Sequence, residues 1–266
     1  MTLVDIRSAT KRFLTSAGTA HTAVQDITLE IAAGEFVAVV GPTGCGKSTT
    51  LSLVSGLEPP SEGTVTVAGK PVRGIPEGVG YMFQSDAMLP WRTVLANVAA
   101  GPAWRGASKA EAHAKASDWI ARVGLAGFEG YYMHQLSGGM RKRVALAQTL
   151  VNEPSILLMD EPFSALDVQT RALMQNELLQ LWSGSNAAVI FVTHDLEEAI
   201  TLADRVVVMT ASPARIKNSF EIALPRPRNV EEIRMTPEFL HIYKEIWGSL
   251  AAEVAIARKA GASRVA

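Results

Sequence analysis

The chain has 266 residues, of which 48% are hydrophobic and 19% charged, and its formal net charge is −1. This balance is typical of one large folded domain, with or without an inserted subdomain, and offers no bulk charge for nucleic-acid binding. The single cysteine, Cys45, cannot form an internal disulfide, which favours a reducing compartment. No signal-peptide pattern or run of ~20 apolar residues is present, so we expect any membrane attachment to depend on another protein.

Short apolar runs alternate with helical patterns along most of the chain. Three of the runs, apolar on both faces and rich in β-branched residues, predict buried parallel strands at 36–41, 156–161 and 189–194. Helical patterns lie between and after them, at about 47–56, 138–152, 168–182 and 195–203. This alternation predicts an α/β fold. The strand-like patterns at 1–35 and 63–84 predict a smaller, partly antiparallel sheet.

A helical insertion and a helical tail extend this core. The insertion contains a helix that begins at Ser108, with Glu111 completing a capping box. The tail begins with two prolines at 224–229 and continues as a helix that starts at Thr236 and Pro237. We therefore expect four segments: the first part of an α/β core with the antiparallel sheet (1–85), the helical insertion (86–153), the second part of the core (154–223) and the C-terminal helical tail (224–266).

Residues 41–49, GPTGCGKST, follow a predicted strand and open a predicted helix. Such a loop presents successive backbone N–H groups to a phosphate chain at a helix N-terminus. We expect Lys47 to contact the β- and γ-phosphates and Ser48 to offer its hydroxyl to Mg²⁺. The predicted nucleotide-binding residues of this loop are Gly41, Pro42, Thr43, Gly44, Cys45, Gly46, Lys47, Ser48 and Thr49.

Two acids and a histidine end the other predicted core strands. Asp160 and Glu161 end one strand, and His194 ends the next. Because α/β proteins bind ligands at the carboxyl edge of the parallel strands, these side chains should meet there. We expect Asp160 to hold Mg²⁺, Glu161 to accept a proton from the attacking water, and His194 to contact the γ-phosphate. The remaining histidines show no metal-binding spacing and receive no role: His21, His113, His134 and His241.

A second glycine-containing stretch, HQLSGGMRKRV at 134–144, also precedes a predicted helix. Ser137, Gly138 and Gly139 would present N–H groups to an anion, but no lysine accompanies them as in the first loop. The basic run at 141–143 is typical of a solvated face. A partner acid or a phosphate is the alternative, because cations at a helix start oppose the helix dipole.

The sequence leaves open what Trp91 and an apolar stripe on the tail helix contact. Trp91, in a turn beside Pro90, is either part of a contact surface or an ordinary buried aromatic. The tail helix carries one apolar stripe, made of Phe239, Tyr243, Ile246, Trp247 and Leu250. Helical spacing favours packing of this stripe on its own domain, and a dimer or regulatory contact is the alternative.

The order of GPTGCGKST, Gln84, LSGGM, ILLMDEP, SALD at 164–167 and His194 resembles the ATP-binding subunit of an ABC transporter over nearly the whole chain. The resemblance implies a P-loop NTPase core of the RecA-like type, with a small antiparallel β subdomain and an inserted helical subdomain. It implies ATP and Mg²⁺ as ligands, with adenine stacked on Phe13. Gln84 would sense Mg²⁺ and the attacking water, and would join Ser48 and Asp160 around the metal.

The same resemblance gives the second glycine stretch a partner. Ser137, Gly138 and Gly139 would contact the γ-phosphate held by a second copy of the chain, and Asp167 would lie in a loop that crosses the dimer interface. A symmetric head-to-tail dimer with two composite sites follows. Met140 stands where glutamine is commonest in this family, and Phe13 where tyrosine is more frequent, and neither change removes the expected contacts.

Within the family, MLPW at 88–91 and LPRPR at 224–228 resemble bacterial importers of nitrate, sulfonates and taurine, a group that includes transporters of pyrimidine precursors. This implies a transmembrane permease, a periplasmic or lipid-anchored solute-binding protein, and a peripheral position on the cytoplasmic face of the bacterial inner membrane. The alternatives are an exporter or lipid-transport ATPase, a soluble ABC ATPase of DNA repair or translation, and a regulatory module without turnover. The short insertion and single cassette disfavour the soluble types, and Glu161 disfavours the module without turnover.

Overall fold

The computed structural model describes residues 1–15, 18–85 and 87–262, with side chains through Lys259. Residue 86, at the start of the predicted insertion, and residues 263–266 of the predicted tail lie outside the described residues. The strands are β1 (Thr2–Leu14), β2 (Ala20–Ala32), β3 (Phe36–Val40), β4 (Glu62–Val67), β5 (Lys70–Pro71), β6 (Val79–Met82), β7 (Ile156–Asp160), β8 (Ala188–Thr193), β9 (Arg205–Met209) and β10 (Ile216–Glu221). The helices are α1 (Lys47–Ser55), α2 (Val94–Val98), α3 (Ala100–Trp104), α4 (Lys109–Arg122), α5 (Gly138–Leu150), α6 (Val168–Trp182), α7 (Leu196–Leu202), α8 (Val230–Ile233) and α9 (Pro237–Ala262), with a 3-10 turn at Met133–Gln135.

The described strands form two sheets of different kinds. The antiparallel sheet has the order β2-β1-β4-β5, and the larger sheet has the order β10-β9-β3-β8-β7-β6. In the larger sheet the strands from β9 to β6 run parallel, and β10 is an antiparallel edge strand. Helical crossovers join the parallel strands, so the carboxyl ends of β3, β7 and β8 face one edge, where α/β proteins bind ligands.

The sequence prediction is wrong for the end of the segment 63–84. Residues of β4 and β5 lie in the antiparallel sheet, but β6 pairs in parallel with β7, with Val79 opposite Ile156. The four-residue strand is at the sheet edge and is only partly buried, so its hydrophobic pattern resembles that of an antiparallel strand. Its place in the larger sheet carries Gln84 to the ligand-binding edge.

Packing on both faces explains why the central strands are continuously apolar. Alternate residues of β3 face opposite sides: Phe36, Ala38 and Val40 pack in the cluster with α6 and α7, and Val37 and Val39 pack in the cluster with α1 and the antiparallel sheet. Each such fully buried aliphatic or aromatic side chain contributes about 1.5–3 kcal/mol relative to exposure. The core therefore lies on both sides of the larger sheet and fixes the loops at its edge.

The helical insertion has its own core but is not independent of the sheet. Ser108 caps α4 through a capping box with Glu111, as the sequence predicts. Helix α5 contributes Val144 to the core of the helical insertion and Leu146 to the cluster that packs with α6 and α7. Helix α5, which begins in the second glycine stretch, is therefore held between the helical insertion and the larger sheet.

The tail packs mainly on its own domain, as its periodicity predicts. Phe239, Ile246 and Leu250 are buried in the cluster that contains α6 and α7, whereas Trp247 is half-exposed. Thr236 accepts a hydrogen bond from the Phe239 N–H, 3.3 Å away, at the start of α9. Trp91 is 72% exposed, so the interpretation of a buried aromatic is wrong for that residue. None of the described helices is both long and apolar enough to cross a membrane.

Candidate functional site

The first glycine loop connects β3 to α1 and packs tightly beneath β2. Gly46 has φ +126°, and a Cβ at this position would lie 2.7 Å from the Ala23 carbonyl oxygen and 2.8 Å from Val24. Gly44 has φ +74°, in the left-handed region that favours glycine. The spacing of the two glycines therefore reflects backbone conformation at both positions and close packing at Gly46.

Lys47 begins α1 and lies against its own loop. Its Nζ donates to the carbonyl oxygens of Gly41 at 2.9 Å and Pro42 at 3.1 Å. These are its hydrogen bonds within the described part of the chain, and an ammonium has three N–H donors. The third N–H is therefore available to a phosphate oxygen.

The side chain of Cys45 points away from the loop's open side. It is buried with Val39 and Leu51 in the cluster beneath the antiparallel sheet, and burial raises the pKa of its thiol. Among the described residues that line the adjacent pocket, Gly41, Pro42 and Cys45 are absent. The buried Cys45 thiol is therefore not among the groups that line this pocket.

Ser48 and Asp160 form a close oxygen pair at the edge of the sheet. The Ser48 hydroxyl donates to Asp160 Oδ1 across 3.0 Å, from the first turn of α1 to the end of β7. Burial raises the pKa of the Asp160 carboxyl, and the hydrogen bond from Ser48 opposes this shift. A bound cation would favour the ionised form of this buried acid.

This pair fits Mg²⁺ better than it fits a metal held by protein alone. No cluster of three or more His, Cys, Asp or Glu side chains able to hold a metal occurs among the described residues. Mg²⁺ commonly takes one or two protein oxygens and completes its octahedron with water and substrate phosphates. One hydroxyl and one carboxylate beside a phosphate loop provide that donor set.

Glu161 and His194 meet at the ends of adjacent strands. His194 Nδ1 lies 2.9 Å from Glu161 Oε2. Glu161 has φ +43°, a conformation that costs about 1–2 kcal/mol for a residue with a side chain. Its N–H donates to the Val192 carbonyl, and its own carbonyl accepts from the Ser164 hydroxyl, so both neighbouring segments hold this turn. Unfavourable backbone conformations of this kind concentrate at functional positions.

One pocket of about 530 Å³ collects most of the residues predicted for the nucleotide. Its lining consists of Phe13, His21, Ala23, Thr43, Gly44, Gly46, Lys47, Ser48, Thr49, Gln84, Glu161 and His194. His21 was assigned no role from the sequence. It is the cross-strand partner of Phe13, and only the hairpin register of β1 and β2 brings it to the pocket.

The second glycine stretch lies in a different pocket, of about 500 Å³. Ser137 is the N-cap of α5 and accepts a hydrogen bond from the Met140 N–H at 3.3 Å. Asp167 is the N-cap of α6, and the hydrogen bonds from Thr170 hold the pKa of its carboxyl below the usual range. Ser137, Gly138, Gly139 and Asp167 share this pocket, and none of its described lining residues lines the pocket of Lys47.

The basic run after this stretch is not a solvated face, so that interpretation is wrong. Lys142 is 5% exposed and donates to the Gln84 carbonyl oxygen at 3.0 Å. Arg143 pairs with Glu177 and donates to the Val123 carbonyl. Arg141 donates to the Leu136 carbonyl at 2.7 Å. The three cations satisfy carbonyl groups that helix ends and loops leave without partners, which a linear charge pattern does not reveal.

Known proteins resemble the chain in sequence and in fold. The ABC transporter family model matches residues 24–164. An uncharacterized ABC transporter ATP-binding protein from Methanocaldococcus jannaschii is 50% identical over 232 residues, which are 87% of this chain and 85% of that protein. A taurine import ATP-binding protein from Yersinia pestis is 40% identical over 232 residues, which are 86% and 91% of the two chains. One from Burkholderia pseudomallei is 41% identical over 228 residues, or 84% and 88%.

The similarity extends to a solved structure. The dimeric, post-hydrolysis state of the ATP-binding cassette MJ0796, bound to ADP and Pi, superposes with a TM-score of 0.74 and 29% identity, over 84% of this chain and 100% of that one. The predicted α/β P-loop fold, with its antiparallel and helical additions, is thereby confirmed. The family model spans more than half of the chain and the relatives span more than four fifths of it. The chain therefore belongs to the ABC transporter family, as an ATP-binding subunit that is an ATPase.

Proposed function

We propose that two copies of this chain hydrolyse ATP at shared sites and that their closure powers uptake of a small solute through a membrane permease. The observation that carries the proposal is the placement of Lys47, Ser48, Glu161 and His194 around one pocket, with Ser137 at another. In this proposal the groups of the first pocket hold and hydrolyse a nucleoside triphosphate. The second offers helix N–H groups without a lysine.

Adenine recognition is assigned to Phe13 and phosphate binding to the loop. Phe13 offers a ring for stacking, and the Lys47 ammonium and the backbone N–H groups of 43–49 would surround the phosphates. Lys11 Nζ lies 5.0 Å from the centre of the Phe13 ring, and this cation–π contact helps to hold the ring. His194 would contact the γ-phosphate from the opposite side.

Glu161 is assigned as the general base. A water oxygen attacks the γ-phosphorus, the bond between the γ-phosphorus and the bridging oxygen breaks, and ADP leaves with the electron pair. The proton of the water passes to the Glu161 carboxylate, and the 2.9 Å contact to His194 orients that carboxylate. Mg²⁺, held by Ser48 and Asp160 with Gln84 nearby, would neutralise charge on the β- and γ-phosphate oxygens.

The second copy is proposed because each half-site lacks what the other has. Ser137 already uses its hydroxyl as the N-cap of α5, so the N–H groups of Gly138 and Gly139 are what the stretch offers an anion. A γ-phosphate bound by Lys47 of one copy and these N–H groups of another would hold two copies together only while ATP is intact. The dimeric state of the MJ0796 cassette supports this arrangement.

The importer role rests on the relatives that are named taurine import ATP-binding proteins. By this similarity the chain would sit peripherally on the cytoplasmic face of the inner membrane, bound to a transmembrane permease that receives solute from a separate binding protein. Taurine, another sulfonate or nitrate would be the solute. An exporter or lipid-transport role remains the second candidate from the sequence, and the relatives' names favour the importer role.

Reconstitution tests the proposal. The chain, its permease and its solute-binding protein are placed in liposomes with ATP on the side of the chain, and uptake of labelled taurine, an alkylsulfonate and nitrate is measured. We expect ATP-dependent accumulation of one of these solutes, abolished by Glu161→Gln and unaffected by Glu245→Gln at an exposed position of α9. ATP-dependent movement in the opposite direction would overturn the importer role.

A further inference from the structure

A buried acid behind the candidate site is not used by the proposed chemistry. Glu198, on α7, is 3% exposed, and Gln175 and Thr193 beside it are buried as well. Replacing a buried ionic group with well-packed apolar side chains is often neutral or stabilising, so stability alone does not explain an acid here. Its contacts point instead to the segments that surround the pocket.

The first contact leads to His194. Glu198 Oε2 accepts a hydrogen bond from the Thr193 hydroxyl at 2.6 Å. The same hydroxyl accepts from the Asp195 N–H at 3.0 Å. The residues on either side of His194 are thereby tied to one carboxylate, and this fixes the backbone from which the imidazole extends toward Glu161.

The second contact leads to the loop that precedes α6. Arg171 Nε lies 3.8 Å from Glu198 Oε1, and its Nη1 lies 3.3 Å from Asp195 Oδ2. Its Nη2 donates to the Leu166 carbonyl oxygen at 3.0 Å. Leu166 lines the pocket of Ser137, next to Asp167. One guanidinium therefore connects the two pockets through Glu198 and through Asp195, the N-cap of α7.

The third contact leads to the C-terminal tail. Gln175 Nε2 donates to Glu198 Oε1 at 3.0 Å, and Gln175 Oε1 accepts from Arg234 Nη2 at 3.2 Å. Because a guanidinium can only donate, Arg234 fixes the amide orientation in which the Gln175 nitrogen faces the acid. The tail thus completes the set of donors around Glu198.

We infer that Glu198 is a positioning residue for hydrolysis, which holds His194 in register with the Leu166–Asp167 loop through Thr193 and Arg171. It touches no substrate and acts through these neighbours. The inference rests on the proposed contact of His194 with the γ-phosphate. In the proposed dimer it connects the site that contains His194 to the neighbouring site completed by Asp167.

The test uses the Thr193 hydroxyl, because the chain offers a matched control. Thr193→Val removes a hydroxyl that donates to Glu198. Thr201→Val makes the same change at another fully buried position, where the hydroxyl has no hydrogen-bond partner among the described residues. Steady-state ATP hydrolysis by the full chain, ATP affinity without Mg²⁺, and Tm are measured for both variants, for Thr193→Ser and for Glu198→Gln.

We expect Thr193→Val and Glu198→Gln to lower kcat about tenfold while ATP affinity stays within about twofold, since a displaced catalytic group loses rate more than binding. Thr193→Ser should restore kcat, and Thr201→Val should leave it unchanged. The ring NMR signals of His194, assigned with His194→Ala, should shift in Thr193→Val and not in Thr201→Val.

Equal kcat in the two valine variants, or a loss that serine does not restore, would overturn the inference. If Thr193→Val does not fold, the kcat of Glu198→Gln and the His194 ring signals of that variant decide the outcome. A His194→Ala variant with wild-type kcat would instead contradict the proposed role of His194, which separates failure of the proposed function from failure of this inference.

Discussion

Two helix starts in this molecule present glycine-flanked N–H groups, and they differ in what surrounds them. The N-terminus of α1 has Lys47 folded against the loop, the Ser48–Asp160 pair beside it, and Glu161 with His194 opposite. The N-terminus of α5 has a serine that caps its own helix, and Asp167 lines the same pocket. In the proposed function the first binds and hydrolyses a triphosphate, and the second completes a site held by another copy.

The acids at the two helix starts also differ in their electrostatics. Asp160 is buried, and desolvation raises the pKa of its carboxyl. Asp167 is exposed, and hydrogen bonds from Thr170 lower the pKa of its carboxyl. The first acid is held at an energetic cost that a cation can relieve, whereas the second stabilises the helix that it caps. The predictions below test this division of labour.

The largest effect should come from Glu161→Gln, at the first helix start. A glutamine keeps the size of the side chain but cannot accept the proton, so hydrolysis should fall about 10²- to 10⁴-fold with ATP affinity retained. Hydrolysis assays, nucleotide titration and light scattering would show an ATP-bound dimer that persists. Hydrolysis at the wild-type rate would contradict the assignment of the base.

Ser137→Arg should have the next largest effect, at the second helix start. A bulky cation there would block the approach of the other copy and remove N–H contacts to the γ-phosphate, so hydrolysis should fall roughly 100-fold. ATP binding to the isolated monomer should be unchanged. The matched control is Ser108→Arg, which also removes a serine N-cap, from α4, and should lose only the stability of a cap, about 1 kcal/mol. Loss of ATP binding in the Ser137→Arg monomer would mean that the stretch acts within its own chain.

A smaller effect is expected from Phe13→Ala. Stacking of a base on an aromatic ring is worth about 1–3 kcal/mol, so ATP affinity should fall about tenfold. Phe13→Tyr keeps the ring and should bind ATP as the wild type does. Fluorescence or calorimetric titrations of the protein with ATP, and with inorganic triphosphate as a ligand that lacks adenine, provide the measurement. Equal affinities of the alanine and wild-type chains would exclude stacking.

The smallest effect concerns stability without nucleotide. The raised pKa of Asp160 means that the native chain binds more protons than the unfolded chain between the ordinary and the raised pKa, so stability falls as pH rises through that window. Above that window the full cost is present, and Asp160→Asn should raise Tm there by roughly 2–4 °C for each kcal/mol relieved.

Asp167→Asn provides the control with the opposite sign. Its carboxyl pKa is lowered, so the ionised form contributes stability above the ordinary pKa, and the substitution should not raise Tm. Thermal unfolding in the presence of a chelator measures both variants. A lower Tm for Asp160→Asn would contradict the cost assigned to that acid.

The sequence predicts the first helix start far better than its surroundings. A glycine loop with lysine and serine between a strand and a helix is a local pattern, and strand ends bring Asp160, Glu161 and His194 to one edge by topology alone. The place of β6 in the larger sheet and the approach of His21 to Phe13 depend on strand register, which the residues do not encode locally.

Buried polar contacts are the part that sequence patterns hide. Lys142 and Glu198 lie beside charged neighbours in the chain, and each is held by a group distant in sequence, the Gln84 carbonyl for Lys142 and Gln175 for Glu198. A linear pattern of charges is the same whether a helix faces solvent or another helix. Only the packing of α5, α6 and α7 shows that these charges are internal.

A mixing experiment tests the central claim, a site shared by two copies, most directly. Lys47→Ala removes the phosphate lysine and Ser137→Arg blocks the second helix start, so each variant alone should be inactive. In a head-to-tail dimer that contains one copy of each, one site has both wild-type halves, and a 1:1 mixture should recover about a quarter of wild-type hydrolysis. A mixture as inactive as either variant alone would contradict the shared site.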